Sequence, residues 1–393
     1  MRRVYLDHNA TTPLAPEVLR AMTPYLTEEF GNASSIHSVG QRARAGVEQA
    51  RSQVAALIGA REKEIVFTSG GTEADNMAIR GVVGASERAR KHIVTSAIEH
   101  HAVLNTCQAL ETEGVSVTYV PVSSGGVVDP EDVRRALTPD TVLISIMHAN
   151  NELGTVQPIA AIGALARERE IPFHTDAVQS AGKLPLAVKE LGVDLLSLSA
   201  HKIYGPKGVG ALYIRRNLPL KPLFFGGHHE RDRRAGTENV AGIVGLGAAA
   251  ELAAAHFRED GERLAALRDE LEKRLLERVP HIGVNGDRAR RTSNTTNLHF
   301  DFVEGEPLVI ALDLKGIAVS TGAACSSGAV EPSHVLTAIG LAPERARSSL
   351  RFSLGRSTTK EEIDYVCEML PGVIEHLREL SPLYSKTGSV AAR

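Results

Sequence analysis

The hydrophobic period of this chain changes twice. Val4-Tyr5-Leu6 predicts a short strand that Asp7-His8-Asn9-Ala10-Thr11-Thr12-Pro13 breaks, and a helix follows from about Pro16 to Leu26. After the small polar loop Gly31–His37, apolar positions recur at Ala43, Val47, Ala50, Val54 and Leu57. That three- and four-residue spacing predicts a long helix ending near Ile58. From Glu64 short apolar runs alternate with helical patterns. Strands are predicted at Ile65–Thr68, His92–Ser96, Val115–Val120, Val142–Met147, Pro172–Thr175, Asp194–Ser199 and Gly210–Ile214. Helices are predicted near Thr72–Val83, Ala102–Glu113, Pro130–Ala136, Ile159–Glu168 and Ala177–Ala181. Such alternation implies βαβ units, an α/β fold and a mostly parallel seven-stranded sheet covered on both faces. Ligands of such sheets bind off the carboxyl ends of the strands.

Beyond Asn239 the pattern changes again. One or two long helices are predicted to about Arg278, with Gly261 as a break. A strand at Thr296–Phe300, a helix at Pro307–Leu314, a small-residue loop at Ser320–Gly328, a strand at Leu350–Leu354 and a helix at Lys360–Glu379 then predict a smaller α+β domain. The expected division is an N-terminal segment 1–15 that joins the small domain, a large cofactor-binding domain 16–258, and a small C-terminal domain 259–393.

Totals narrow the class. A chain of 393 residues exceeds the usual single-domain size. A formal net charge of -3 gives no bulk attraction to nucleic acid. No apolar run is read as a membrane span and no signal-peptide core is seen, so a cytoplasmic enzyme is expected. Cys107, Cys325 and Cys367 form no CxxC pair, which argues against a disulfide framework or a self-contained zinc site.

Candidate chemistry gathers at predicted strand ends. Lys202, in Ser199-Ala200-His201-Lys202-Ile203-Tyr204-Gly205-Pro206-Lys207-Gly208, follows a core strand in a loop that allows close backbone approach. A lone lysine there is ordinarily a solvated loop residue, but burial would make its amine a nucleophile for a carbonyl cofactor. Ser69-Gly70-Gly71-Thr72 opens a helix and is either an anion cradle or an ordinary cap. Asp176 ends an apolar strand, and would either pair with a protonated pyridine nitrogen or cap a helix. Gln179, one turn on, could bond a ring substituent. Glu99-His100-His101 offers an imidazole for stacking and proton transfer, or a surface turn. His228-His229-Glu230 is read as structural or rim rather than metal-binding. Cys325 sits among small residues, Thr321-Gly322-Ala323-Ala324-Cys325-Ser326-Ser327-Gly328, which suits an accessible nucleophile. Cys107 and Cys367 lie in helical apolar patterns and are read as core.

Together these stretches resemble the cysteine desulfurases of the pyridoxal-phosphate-dependent, fold-type-I, class V aminotransferase superfamily. The resemblance runs from YLDHNATTP and GNASSIH through SGGTEADN, EHHAV, MHANNELGTVQPI, HTDAVQ, SAHKIYGPKG and RAGTEN to ACSSG, EPSHVL and SLRFSLGR. It implies that Lys202 holds pyridoxal 5'-phosphate covalently, that His100 stacks on the ring, that Asp176 pairs with the ring nitrogen and that Gln179 contacts the ring oxygen. Gly71, Thr72, Ser199 and His201 would bind the phosphate, with Thr237 reaching across from the second subunit of a homodimer. Asn151 would contact cofactor or substrate, and Arg351 would clamp the substrate carboxylate. Cys325 would take the sulfur of L-cysteine as a persulfide, pass it to a scaffold protein in iron–sulfur cluster assembly, and at most share a cluster with that scaffold, with no intrinsic metal. Transamination, selenocysteine lysis and a silent binding protein are the alternatives. Cys325 argues against the first, and Lys202, Asp176, His100 and Cys325 together argue against the last.

Overall fold

A computed structural model describes residues 3–321, 332–382 and 384. The chain opens with β1 (Val4–Tyr5), α1 (Pro16–Thr27) and α2 (Ser38–Ile58). The alternating stretch follows as β2 (Ile65–Thr68), α3 (Gly71–Ala85), β3 (His92–Ser96), α4 (His101–Thr112), β4 (Ser116–Val120), α5 (Pro130–Ala136), β5 (Thr141–Ser145), α6 (Ile159–Glu168), β6 (Phe173–Asp176), α7 (Val188–Leu191), β7 (Leu195–Ser199) and β8 (Gly210–Ile214). Strands β2 to β8 form one seven-stranded sheet in the order β2-β8-β7-β6-β5-β3-β4. Only β8 runs antiparallel to its neighbours, so the carboxyl ends of β2, β3, β5, β6 and β7 share one edge.

Both faces of the sheet are covered, and the strands sort their side chains by the period of two. Phe67, Ile144, Phe173, Leu196, Leu198 and Tyr213 join a core shared with α1, α2, α6 and α8 (Val240–Arg278). Val66, Ile93, Leu143, Leu195, Leu212 and Ile214 face α3 and α4. The same alternation turns His174, Asp176 and Ser197 towards the α3 side. Glycines let the helices of the first face close up. A Cβ at Gly247 of α8 would lie 2.6 Å from Ala50 Cα in α2.

The rest of the chain comprises β9 (Ile282–Asn285), β10 (Thr295–Phe300), α9 (Gly305–Asp313), β11 (Ile317–Ala318), α10 (His334–Ala338), α11 (Pro343–Arg347), β12 (Ser349–Ser353) and α12 (Lys360–Glu379). An antiparallel sheet β12-β10-β9 and the parallel pair β1–β11 pack with α9, α12 and the second half of α8 around Leu6, Leu271, Leu298, Phe300, Phe352 and Leu370.

Three expectations change. The helix α8 is a single 39-residue element with no break at Gly261, and residue 258 lies inside it. Its first half packs into one core and its second half into the other, which outweighs the roughly 1 kcal/mol a mid-helix glycine costs. By length and composition α8 is also apolar enough to cross a membrane, although half of that stretch is buried within the protein. Residues 177–181 form successive turns rather than a helix. The Asp176 carboxylate takes the Val178 N–H at 2.8 Å, and Gly182 at φ +67° bends the chain away.

Candidate active site

The shared strand edge opens onto a cavity of about 450 Å³. Gly71 and Thr72 reach it from the start of α3, His100 from the loop after β3, and Asn151 from the loop after β5. Asp176 and Gln179 follow β6, Ser199 and His201 flank the end of β7, and Lys202 lies beside them. Arg351 arrives from β12 of the smaller core. Thr237 is exposed and does not line this cavity. Cys325 lies outside the described residues.

Lys202 ends a short 3-10 turn after β7, and its Nζ donates to the backbone carbonyls of Asn9 at 2.5 Å and Ala10 at 2.8 Å. Burial first, then the Arg351 guanidinium, push its amine down to about 8. About a tenth of the amine is therefore neutral near pH 7, far more than in an exposed lysine. His201 Nδ1 pairs with Thr11 Oγ1 at 3.1 Å, and burial lowers its imidazole to about 4. His100 caps α4 by accepting the Ala102 N–H on Nδ1 at 3.1 Å, which leaves Nε2 for the cavity. Burial holds that imidazole below its ordinary range too.

Two buried acids line the same cavity. Asp176 is 6% exposed and Asp75 1%, and burial raises both carboxyls, Asp75 further because it also faces Asp176. Among the described residues neither is ion-paired with a lysine or arginine, and Asp75 Oδ1 has no hydrogen-bond partner. His174 does not fill that role. It is bonded to Ser145 at 2.9 Å and Ser197 at 3.0 Å, stands 3.6 Å from Asp75, and burial drops it to about 3. The α3 entrance is shaped for close approach, since a Cβ at Gly71 would meet Val178 Cγ2 at 2.8 Å. Glu73 accepts the Ser69 N–H at 2.7 Å and pairs with Arg234 at 2.8 Å, fixing that entrance.

The arginine is anchored rather than saturated. Arg351 donates to Asp7 Oδ1 at 2.6 Å and to the Asn151 carbonyl at 3.0 Å, while its buried Nε has no partner among the described residues. At the rim, Glu152 accepts from Ser333 at 2.6 Å and His101 lies 4.8 Å from His334, ring to ring. Ser320 and His334 also line the cavity.

Several of these residues escape sequence reasoning. Asp75 lies four residues after Gly71, hence on the same face of α3, and that spacing is the signal that could have found it. Asn9, Lys183 and Glu152 carry no local signal of function. Of the described thiols, burial raises Cys107 to about 12 and Cys367 to about 11, so neither is a nucleophile at neutral pH. Glu230 is structural: both its oxygens take Arg51 at 2.8 Å.

Residues 4–366 match the family Aminotransferase class-V. The chain belongs to that family. It is 54% identical over 381 residues to the cysteine desulfurase IscS of Dictyoglomus turgidum, covering 97% of each chain. Among solved structures it is similar to a NifS-like protein, at 38% identity and TM-score 0.90 over 96% of this chain and 100% of that one. It is also similar to SspA in complex with cysteine, at 42% identity and TM-score 0.81 over 89% and 98%. The family works with pyridoxal phosphate. The residues present fit that group. A lowered lysine amine suits its aldehyde, the glycine cradle and helix start suit its phosphate, and two buried acids without a cation suit a protonated ring nitrogen.

Proposed function

We propose that this chain is a pyridoxal-phosphate-dependent L-cysteine desulfurase that moves the sulfur of L-cysteine onto Cys325 and releases L-alanine. The observation that carries the reading is one cavity holding a weakly basic lysine, Lys202, between unpaired buried acids and an anchored arginine. The substrate comes from the relatives, one named a cysteine desulfurase and one bound to cysteine.

Thr72, Ser199, His201 and the first amides of α3 would hold the phosphate, Lys202 the aldehyde carbon and Asp176 the ring nitrogen. When bound, pyridoxal phosphate supplies an electron-withdrawing ring that weakens bonds at the substrate's α- and β-carbons. Arg351 then orients the substrate carboxylate, with Asp7 fixing its guanidinium. The Lys202 amine, when free, would be basic enough to take a proton and acidic enough to return it. His100, with Nδ1 occupied, holds or delivers a proton at Nε2. The Cys325 thiolate attacks the substrate sulfur. An S–S bond forms, the Cβ–S bond breaks, and the β-carbon gains a proton as alanine. Ser320, five residues before Cys325 in the sequence, lines the cavity.

The reading extends to a homodimer in the cytoplasm that passes sulfur to a scaffold protein in cluster assembly. Supporting the dimer, Thr237 lies outside its own cavity while Phe30, Ile36 and Phe225 are 75%, 93% and 87% exposed. The test is to incubate purified protein with pyridoxal phosphate and L-cysteine, quantify alanine and map added sulfur by mass spectrometry. Sulfur on the Cys325 peptide with matching alanine is expected. Cysteine consumed with no alanine formed would sink the proposal.

A further inference from the structure

A second lysine lies beside the first. Lys183 does not line the large cavity, yet with Lys202 and His8 it borders a small cavity of about 40 Å³ behind it. Its Nζ donates to Gln179 Oε1 at 3.1 Å and to Asn9 Oδ1 at 3.4 Å. Gln179 Nε2 in turn donates at 2.9 Å to the backbone carbonyl of Asn9, the same carbonyl that accepts Lys202 Nζ. The mechanism above gives Lys183 no part.

The orientation of a glutamine amide is usually ambiguous. Here each end has a partner that dictates it. A carbonyl only accepts, so the amide nitrogen must face Asn9, and a lysine ammonium only donates, so the amide oxygen must face Lys183. Burial, Lys202 and Arg351 lower the Lys183 amine to about 7, but a neutral amine still carries two N–H donors and keeps the bond. One Gln179 N–H is thus committed to Asn9 and the other is left for the cavity. The nitrogen that carries it lies beside Lys202 Nζ, because both nitrogens donate to one carbonyl. In pyridoxal the ring oxygen sits on the carbon next to the aldehyde-bearing carbon, so the group Lys202 holds brings that oxygen to the Lys202 side.

We propose that Lys183 is a positioning residue: by holding Gln179 Oε1 it makes Gln179 meet the cofactor's ring oxygen as a donor, which keeps that oxygen unprotonated. The inference rests on the pyridoxal phosphate reading above. Without Lys183 a single contact, to an Asn9 carbonyl that Lys202 Nζ also shares, holds the amide, and its oxygen, left without a donor, gains access to an inward orientation that repels the same ring oxygen.

The visible absorbance of the substrate-free holoenzyme, titrated with pH, reports this directly. Lys183→Met, close in length and without a donor, should raise the midpoint of the spectral titration by about one pH unit, the size of one hydrogen bond to a charged oxygen. Lys183→Arg, still a donor, should restore most of the shift. In a Gln179→Ala background the same Lys183→Met change should move the midpoint by less than about a third as much. Equal shifts in both backgrounds would mean that Lys183 acts by its charge alone, and no shift in either would mean that it does not act on the cofactor; each overturns the proposal. Near-ultraviolet circular dichroism of the apoproteins checks folding. If Lys183→Met fails it, Lys183→Leu in the same two backgrounds gives the same comparison. A wild-type protein that gains no visible band with pyridoxal phosphate would remove the cofactor reading itself, whereas an unmoved midpoint in a coloured, active protein removes only this inference.

Discussion

Replacing Asp176 by asparagine keeps the shape of the side chain and removes its charge, and the structure gives the two consequences opposite signs. In the apoprotein the carboxyl is buried, close to Asp75, and held above its ordinary range. An acid whose folded pKa is raised binds more protons folded than unfolded, so its contribution to stability falls as pH rises above about 4. At pH 7 the charge is therefore a cost, while the amide oxygen of the substituted side chain can still accept the Val178 N–H. Relief on the order of 2 kcal/mol is expected, the scale of an uncompensated buried polar group. For 393 residues unfolding entropy is about 0.8 kcal/mol per kelvin, so the apoprotein Tm should rise by roughly 2–3 °C. With cofactor the sign reverses. Losing the carboxylate leaves a protonated ring nitrogen unpaired in a buried site, which costs about 3–5 kcal/mol and lowers alanine formation by about 10²- to 10⁴-fold. Differential scanning calorimetry without cofactor and an alanine assay with it read the two halves separately. Alanine formation within about threefold of wild type would show that Asp176 only holds its turn, and a lower apoprotein Tm would refute the electrostatic account.

Cys325→Ser should bind pyridoxal phosphate and release almost no alanine, whereas Cys107→Ser and Cys367→Ser should stay active; sulfur mapped to Cys107 or Cys367 in an active Cys325→Ser protein would count against the mechanism. The lowered Lys202 amine implies that the apoprotein takes up pyridoxal phosphate faster as pH rises towards 8 and no faster above it, by stopped-flow absorbance. A base with a depressed folded pKa costs stability below that pKa and regains it as pH climbs to the unfolded value near about 10.4, so Lys202→Met should stabilise the apoprotein at pH 7 but not at pH 11. Arg51→Met strands the buried Glu230 carboxylate and should cost about 3–5 kcal/mol in denaturant unfolding; a loss under about 1 kcal/mol would mean that Glu230 finds water or another partner.

The strand ends were legible because a polar cluster that stops an apolar run marks where the chain leaves the sheet. Asp176 after Phe173 and Lys202 after Leu198 both carry that mark, and both line the cavity. Asp75 carries none. It sits within a helix, where an acid reads as solvated; its spacing from Gly71 puts it on the same face, and His174 and Ser197 on neighbouring strands show that this face is buried. Lys183 is hidden for a similar reason, since one of its partners, Asn9, lies 174 residues away along the chain. At Gly261 local propensity pointed the wrong way because it knows nothing of the two cores that α8 spans unbroken.

That continuity makes α8 a phase standard. Lys202 belongs to the core around its first half and Arg351 to the core around its second half. Each residue of an α-helix turns the chain by about 100° and advances it by about 1.5 Å. One residue inserted near Gly261 would therefore rotate everything hung on the second half by more than a quarter turn and carry Arg351 away from its seat. Seven residues would bring the angle back to within about 20° yet push the smaller core out by roughly 10 Å. No insertion length satisfies angle and distance together, so the sequence can drift along this helix but its length cannot.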